Sequence, residues 1–190
     1  MPLFTSNELL NIAESQRVTF SAQSRQMLNE SKKLSPQFDI FLSHSHSDKP
    51  YAKGLFTVLT NLGYKVYVDW IVDPGLGKSG VTKKVADKVR ERMNQSKCLY
   101  FASSSKSTAS KWMPWESGFM DGRKDKVAIV PVQKGNVTTN RFQGVEYLSL
   151  YPYIVQHLGR LYVVESRYKY IDFDSWLKGK KPQAQSLPLP

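Results

Sequence analysis

A single cysteine, Cys98, is the only thiol in this 190-residue chain. One thiol cannot close an internal disulfide and cannot hold a structural zinc ion alone. Cys98 lies in the apolar run Cys98-Leu99-Tyr100-Phe101-Ala102, which reads as a buried, inert position. No stretch reaches the ~18 apolar residues needed to cross a bilayer. The first residues lack a charged segment followed by an apolar core. No membrane partner is expected, and the cytoplasm is the expected location. A G-x-S-x-G elbow is absent, so a serine nucleophile has no support. There is no internal repeat. No basic run is interleaved with aromatics, and no recognition-helix or zinc-finger pattern occurs, so nucleic acid is not an expected partner.

Acidic residues are the minority, 16 against 27 lysines and arginines, which leaves a net charge of +11. That balance suits nucleic acid, an acidic membrane surface or a phosphate-bearing small molecule, and a solvated basic surface explains it as well. The 41% hydrophobic and 12% aromatic content belongs to a folded chain. Its length suits one well-buried domain with an extension.

Residues 1–35 read as a helical extension. Thr5-Ser6-Asn7-Glu8 fits a capping box, Leu9, Leu10, Ile12 and Ala13 follow as an apolar stripe, and Ser31 to Pro36 reads as a linker. From Phe38 onward apolar runs alternate with helical patterns. Strands are expected at Phe38–Ser43, Tyr64–Asp69, Cys98–Ala102 and Val127–Val132, and a fifth at Glu146–Leu150. Helices are expected at about Tyr51–Asn61, Val81–Asn94, after Trp112, and at about Tyr153–His157. Gly63 stands in the C′ position of the first. Short connections between alternating elements predict an α/β fold with a parallel five-stranded sheet and helices on both faces. The main domain is expected over 36–177, with 178–190 as a flexible basic, Pro-rich tail.

Three constellations carry candidate chemistry. Gly75-Leu76-Gly77-Lys78-Ser79-Gly80 matches G-x-G-x-x-G, but it follows the second strand after an Asp73-Pro74 turn. Val72 also stands where a Walker loop needs glycine. A loop whose glycines permit unusual backbone angles explains the pattern as well, although Lys78 and nearby amides could hold a phosphate or a partner surface. His44, His46 and Asp48 make a thin metal set, and capping by Ser47 or Asp48 is the plainer reading. No metal is expected. Glu116, four residues after Trp112 and next to Trp115, opens a helix near the carboxyl end of a strand, where open α/β sheets bind ligands. A helix-start acid beside core tryptophans would look similar. An acid beside two indoles suits an aromatic, cationic leaving group.

Phe38-Asp39-Ile40-Phe41-Leu42-Ser43-His44-Ser45 resembles the opening strand of Toll/interleukin-1 receptor (TIR) domains. The similarity continues through Gly63–Asp69, the Gly-rich loop that corresponds to the family's BB loop (residues 70–80), and Asn94–Cys98. It ends in Ser110-x-Trp112-x-x-x-Glu116, like the family's Ser-x-Trp-x-x-x-Glu signature. Met113 stands where the family often has cysteine, Pro114 and Trp115 are unusual, and His44 replaces a common aromatic or basic residue.

The resemblance implies a flavodoxin-like fold and one of two roles, a non-catalytic adaptor or an enzyme that cleaves NAD+ between nicotinamide and ribose. For the enzyme it implies Glu116 as the catalytic residue. Ser43, His44, Ser45, Asp69, Trp70, Lys78, Ser79, Trp112 and Trp115 would line the substrate site. NAD+ is then substrate, and no cofactor is implied. Products would be nicotinamide with ADP-ribose, a cyclic isomer or a conjugate. Self-association through the BB loop, an effector protein that answers to the nucleotide product, and a prokaryotic antiphage setting follow from the same resemblance. A nucleoside deoxyribosyltransferase-like enzyme is a third reading.

Overall fold

The first turn of the chain already pairs with the sheet that its later strands build. The computed structural model describes residues 3–76, 82–105, 107, 110–136, 142 and 146–188. Strand β1 (Phe4–Thr5) leads into helices α1 (Ser6–Ser15) and α2 (Arg17–Ser31). The alternating part follows as β2 (Phe38–Ser43), α3 (Lys49–Asn61), β3 (Val66–Tyr67), the short α4 (Asp69–Val72), α5 (Lys83–Asn94), β4 (Ser96–Ser103), α6 (Trp112–Lys124) and β5 (Val127–Gln133). Strands β6 (Tyr153–His157), β7 (Arg160–Ser166) and β8 (Lys169–Asp172), helix α7 (Phe173–Leu177) and β9 (Gln183–Ala184) complete it.

Among the described residues the strand order is β3-β2-β4-β5-β6-β7-β8-β9, with β1 beside β5. The pairs β3–β2, β2–β4, β4–β5 and β5–β6 are all parallel. This is the doubly wound order in which the chain leaves β2 in one direction and returns past it in the other. Right-handed crossovers in opposite directions set their helices on opposite faces, so α3 lies on one and α5 and α6 on the other. Two-sided cover explains why Ile40, Phe41, Leu42, Leu99, Tyr100, Phe101 and Ala128 to Val130 are all buried rather than alternating. Cys98 is fully buried and its Sγ faces the Asp39 carbonyl at 3.4 Å. Removal from water pushes its thiol pKa well up, which makes it the inert position expected.

Two expectations need correction. Glu146–Leu150 is a 3-10 turn, and the fifth parallel strand is Tyr153–His157, where the sequence suggests a helix. In the first segment only Leu148 is buried, so no face could join a sheet. In the second, Tyr153, Ile154 and Val155 are buried in succession. Beyond it the sheet turns antiparallel through a two-residue loop in which Leu158 and Gly159 both have positive φ, the geometry a tight hairpin requires. Gly63, with φ 92°, ends α3 as its place in the sequence suggests. Gln183–Ala184, in the segment read as a tail, pairs with β8.

The amino-terminal helices are built onto this frame. Thr5 Oγ1 accepts from the Glu8 N–H at 3.2 Å, the first half of the capping box. β1 pairs in parallel with the end of β5. Helix α1 then crosses α3 at Gly54, where an added Cβ would lie 2.3 Å from the Leu9 carbonyl oxygen. Backbone occupies that space and cannot turn aside as a side chain could. Gly54→Ala is therefore expected to destabilise the protein by about 1–3 kcal/mol, read as a lowered midpoint of denaturant unfolding with an unchanged slope.

Candidate active site

The carboxyl ends of β2, β3 and β4 meet where the chain reverses its winding, and five of the candidate residues gather there. Ser43 closes β2 and His44 follows it. Asp69 and Trp70 open α4 immediately after β3, and Glu116 lies in the first turns of α6. The local sequence accounts for each placement. The Ser110 hydroxyl accepts from the Met113 N–H at 3.3 Å and so starts α6, and Pro114 falls in the first turn, where no intrahelical donor is needed. Met113, Ser117 and Met120 then form the buried stripe. Glu116 sits beside that stripe rather than on the solvent side.

Glu116 is half-buried, and its carboxyl is engaged. The Ser43 hydroxyl donates to its Oε2 at 2.5 Å. Desolvation pushes the carboxyl pKa up to about 7. The Ser43 hydrogen bond opposes the rise and the Asp69 charge adds to it. A carboxyl poised near neutrality at the edge of an α/β sheet is a functional-site signal, because structural ion pairs push in the opposite direction.

His44 is fixed from both sides. Its side chain is 5% exposed. Trp70 Nε1–H donates to Nε2 at 2.9 Å, which leaves the ring proton on Nδ1, facing the Leu42 carbonyl at 3.2 Å. Burial holds its pKa below the usual histidine value, against the pull of Asp69. With both ring nitrogens engaged, His44 is a neutral wall of the site and not a metal ligand. Asp69 Oδ1 lies 3.9 Å from Nε2 and has no hydrogen-bond partner among the described residues.

The remaining candidates divide. Ser45 is buried and donates to Asp48 Oδ2 at 2.7 Å, and Ser104 donates to the same oxygen at 2.5 Å. Asp48 thus ties the loop after β2 to the loop after β4. It stands at the N-cap position of α3, as expected, but makes no side-chain cap bond there. The Trp115 ring meets Trp112 edge-on at 5.3 Å, stacks with Phe119 at 6.2 Å and carries the Arg90 guanidinium at 5.1 Å. It is engaged with α5. Trp112 is half-buried, one turn before Glu116. Lys78 and Ser79 lie outside the described residues.

The start of the Gly-rich loop is anchored. Arg92 donates to both oxygens of Asp73, at 2.8 and 3.0 Å, and the Tyr67 hydroxyl adds a third bond at 3.0 Å. Sequence reading missed this anchor, since only the fold sets Arg92 of α5 against a residue 19 positions earlier. It also missed Phe20, whose ring stacks on Trp70. A separate groove of about 240 Å³ lies at the other end of the sheet, by Asp121, Asp125, Glu165 and Lys181. Its acids pair with Tyr151, Lys181 and Lys169, so it has no comparable poised group.

Comparison with known proteins adds the following. The family model for the TIR domain matches residues 40–185. A protein of Bacillus cereus (strain MSX-D12) named as the probable 3′ cyclic ADP-D-ribose synthase ThsB′ is 40% identical over 192 aligned positions, covering 94% of this chain and 99% of that protein. A protein of Cytobacillus dafuensis, provisionally named cyclic ADP-D-ribose synthase TIR2, is 29% identical over 80 residues. That match covers 42% of this chain and 21% of the longer relative.

Proposed function

The chain belongs to the TIR domain family, and from that premise we propose that it cleaves NAD+ between nicotinamide and ribose and closes the ADP-ribose part into a cyclic product. The observation that carries this reading is the half-buried Glu116 carboxyl, bonded by Ser43 and with its pKa pushed up to about 7. The name of the Bacillus cereus relative supports the cyclic outcome.

The chemistry needs little from the protein. Nicotinamide in NAD+ is a cationic pyridinium and departs neutral, so no general acid has to protonate it. Positive charge grows instead on the ribose, as in glycoside cleavage. Glu116, ionised, faces that charge and can hold the ribose hydroxyls. A preorganised carboxylate in a place with little water is far more effective than one in solution. Ser43 orients it. His44, neutral and held by Trp70, lines the cleft without adding a competing cation. Trp112 offers an aromatic face for nicotinamide or adenine. Lys78 and Ser79 are assigned to the diphosphate. A hydroxyl of the adenosine half, losing its proton to solvent, or an adenine nitrogen then captures the ribose cation to give the cyclic isomer, and capture by water, again with loss of a proton to solvent, gives linear ADP-ribose.

The adaptor reading treats Glu116 as a solvated helix-start acid, and the Ser43 contact and raised pKa favour the enzyme instead. We assign the BB loop to self-association and the product to a separate effector protein, as a nucleotide signal of antiphage defence in the cytoplasm. The Asp73–Arg92 anchor fits such a loop, because it fixes the base while residues beyond it meet a partner.

The test is direct. Purified protein incubated with NAD+ is expected to release nicotinamide and one equivalent of a product lighter than ADP-ribose by one water, as read by mass spectrometry. Linear ADP-ribose alone would remove the cyclase half of the reading. No turnover by the self-associated protein would remove both.

A further inference from the structure

We propose that Phe20, on the amino-terminal extension, is a positioning residue for the NAD+ site and acts through Trp70 on His44. The proposal rests on the enzymatic reading above only for its kinetic arm.

Helix α2 is polar around most of its surface, and only Met27 and Glu30 are buried on it. Phe20 is the one aromatic residue the helix carries. Its ring stacks on Trp70 at 6.0 Å with 28° between the planes, and its edge meets Phe56 at 5.5 Å. The Lys53 ammonium lies over the ring at 4.6 Å. The extension therefore touches the site through an aromatic contact, placed on the second residue of α4.

That contact reaches the chemistry in three steps. Trp70, held against Phe20, aims its indole N–H at His44 Nε2. The accepted bond confines the ring proton to Nδ1 and the Leu42 carbonyl. His44 follows Ser43, whose hydroxyl holds Glu116. The extension is itself well seated, by β1 against β5 and by the close α1–α3 crossing at Gly54, so it can brace Trp70 rather than merely cover it.

Removing the Phe20 ring takes away the stacking partner of Trp70 and leaves the Lys49 ammonium, 6.0 Å from the ring centroid, as a weaker hold on it. An indole free to turn loses His44, and Nε2 is then left to water and to the Asp69 oxygen 3.9 Å away. Asp69 and Asp48 favour a proton on that nitrogen, whereas Lys49 opposes it. A cationic imidazole next to Ser43 would oppose the positive charge that grows on the ribose.

The experiment pairs kinetics with long-range ¹H–¹⁵N spectra of the three histidines, in the full chain and in Phe20→Ala, Phe20→Leu and Phe20→Tyr. In the wild type, His44 is expected as the Nδ1–H tautomer, with its titration displaced below the usual histidine value. In Phe20→Ala and Phe20→Leu it is expected to show mixed tautomers, with kcat for NAD+ lowered about tenfold. Leucine keeps the bulk against Phe56 and so serves as the folded control. Phe20→Tyr, which keeps the stack, is expected to restore both readouts. An unchanged His44 tautomer in folded Phe20→Leu would overturn the proposal, as would a kcat that stays at the wild-type level after the tautomer has changed. A wild type that turns over no NAD+ yet shows the tautomer change would sink the enzymatic reading and leave the Phe20–His44 coupling standing.

Discussion

Glu116→Gln is expected to lower nicotinamide release from NAD+ by about 10²- to 10³-fold and, above neutral pH, to leave a more stable protein. The first half follows from the mechanism. Glutamine keeps the volume and can still accept the Ser43 hydroxyl, so it removes the negative charge and little else. The attraction between that charge and the ribose strengthens only as the ribose becomes cationic, so the effect belongs in kcat, with KM for NAD+ nearly unchanged. Glu116→Ala is expected to do at least as much harm.

The second half follows from linkage. In the folded protein the carboxyl ionises at about 7, against an ordinary value of 4.5. Between those values the folded state binds more protons than the unfolded one, so stability falls as pH rises through this window and stays lowered above it. The charge therefore costs about 3 kcal/mol above neutrality. Glutamine removes that cost. Its unfolding midpoint should exceed the wild type's at pH 8 and match it below about pH 4.5. A variant that is inactive and also less stable at pH 8 would mean that Glu116 serves the fold and not the reaction.

Legibility in the sequence followed the physics of each element. Strands buried on both faces, such as Phe38–Ser43 and Val127–Gln133, announce themselves as nearly continuous apolar runs, and the parallel winding follows from their alternation with helices. Val66–Tyr67 was harder to bound, because as a strand it has only two residues. The antiparallel addition was not legible. Leu158-Gly159 lacks the Asn-Gly or Asp-Gly signal of a two-residue hairpin, and Leu158 adopts positive φ only because the paired strands on either side hold it.

The site shows the same division. Glu116 was legible from its spacing to Trp112 and from the TIR resemblance. The Ser43–Glu116 bond joins residues 73 positions apart, and the Trp70–His44 bond joins residues 26 apart. No periodicity records such pairs. Ser45 reads from sequence as one more cleft hydroxyl, and its engagement with Asp48 depends on Ser104 arriving from another strand's end. Chemistry-bearing residues can be named from their types and spacing, whereas which of them face one another is decided by the winding of the sheet.

The pH dependence tests that facing directly. Below about 7, kcat/KM for NAD+ is expected to fall about tenfold per pH unit, because only ionised Glu116 stabilises the ribose cation, and to level off above it. Burial lowers the His44 pKa, so any limb of its own is displaced to lower pH. Two variants should move the midpoint in opposite directions. Ser43→Ala removes the hydrogen bond that favours the carboxylate and should shift the limb to higher pH. Asp69→Asn removes the neighbouring negative charge and should shift it lower. Were the midpoint unmoved by both substitutions, the group titrating in catalysis could not be the one that Ser43 and Asp69 surround, and the assignment of Glu116 would have to be given up.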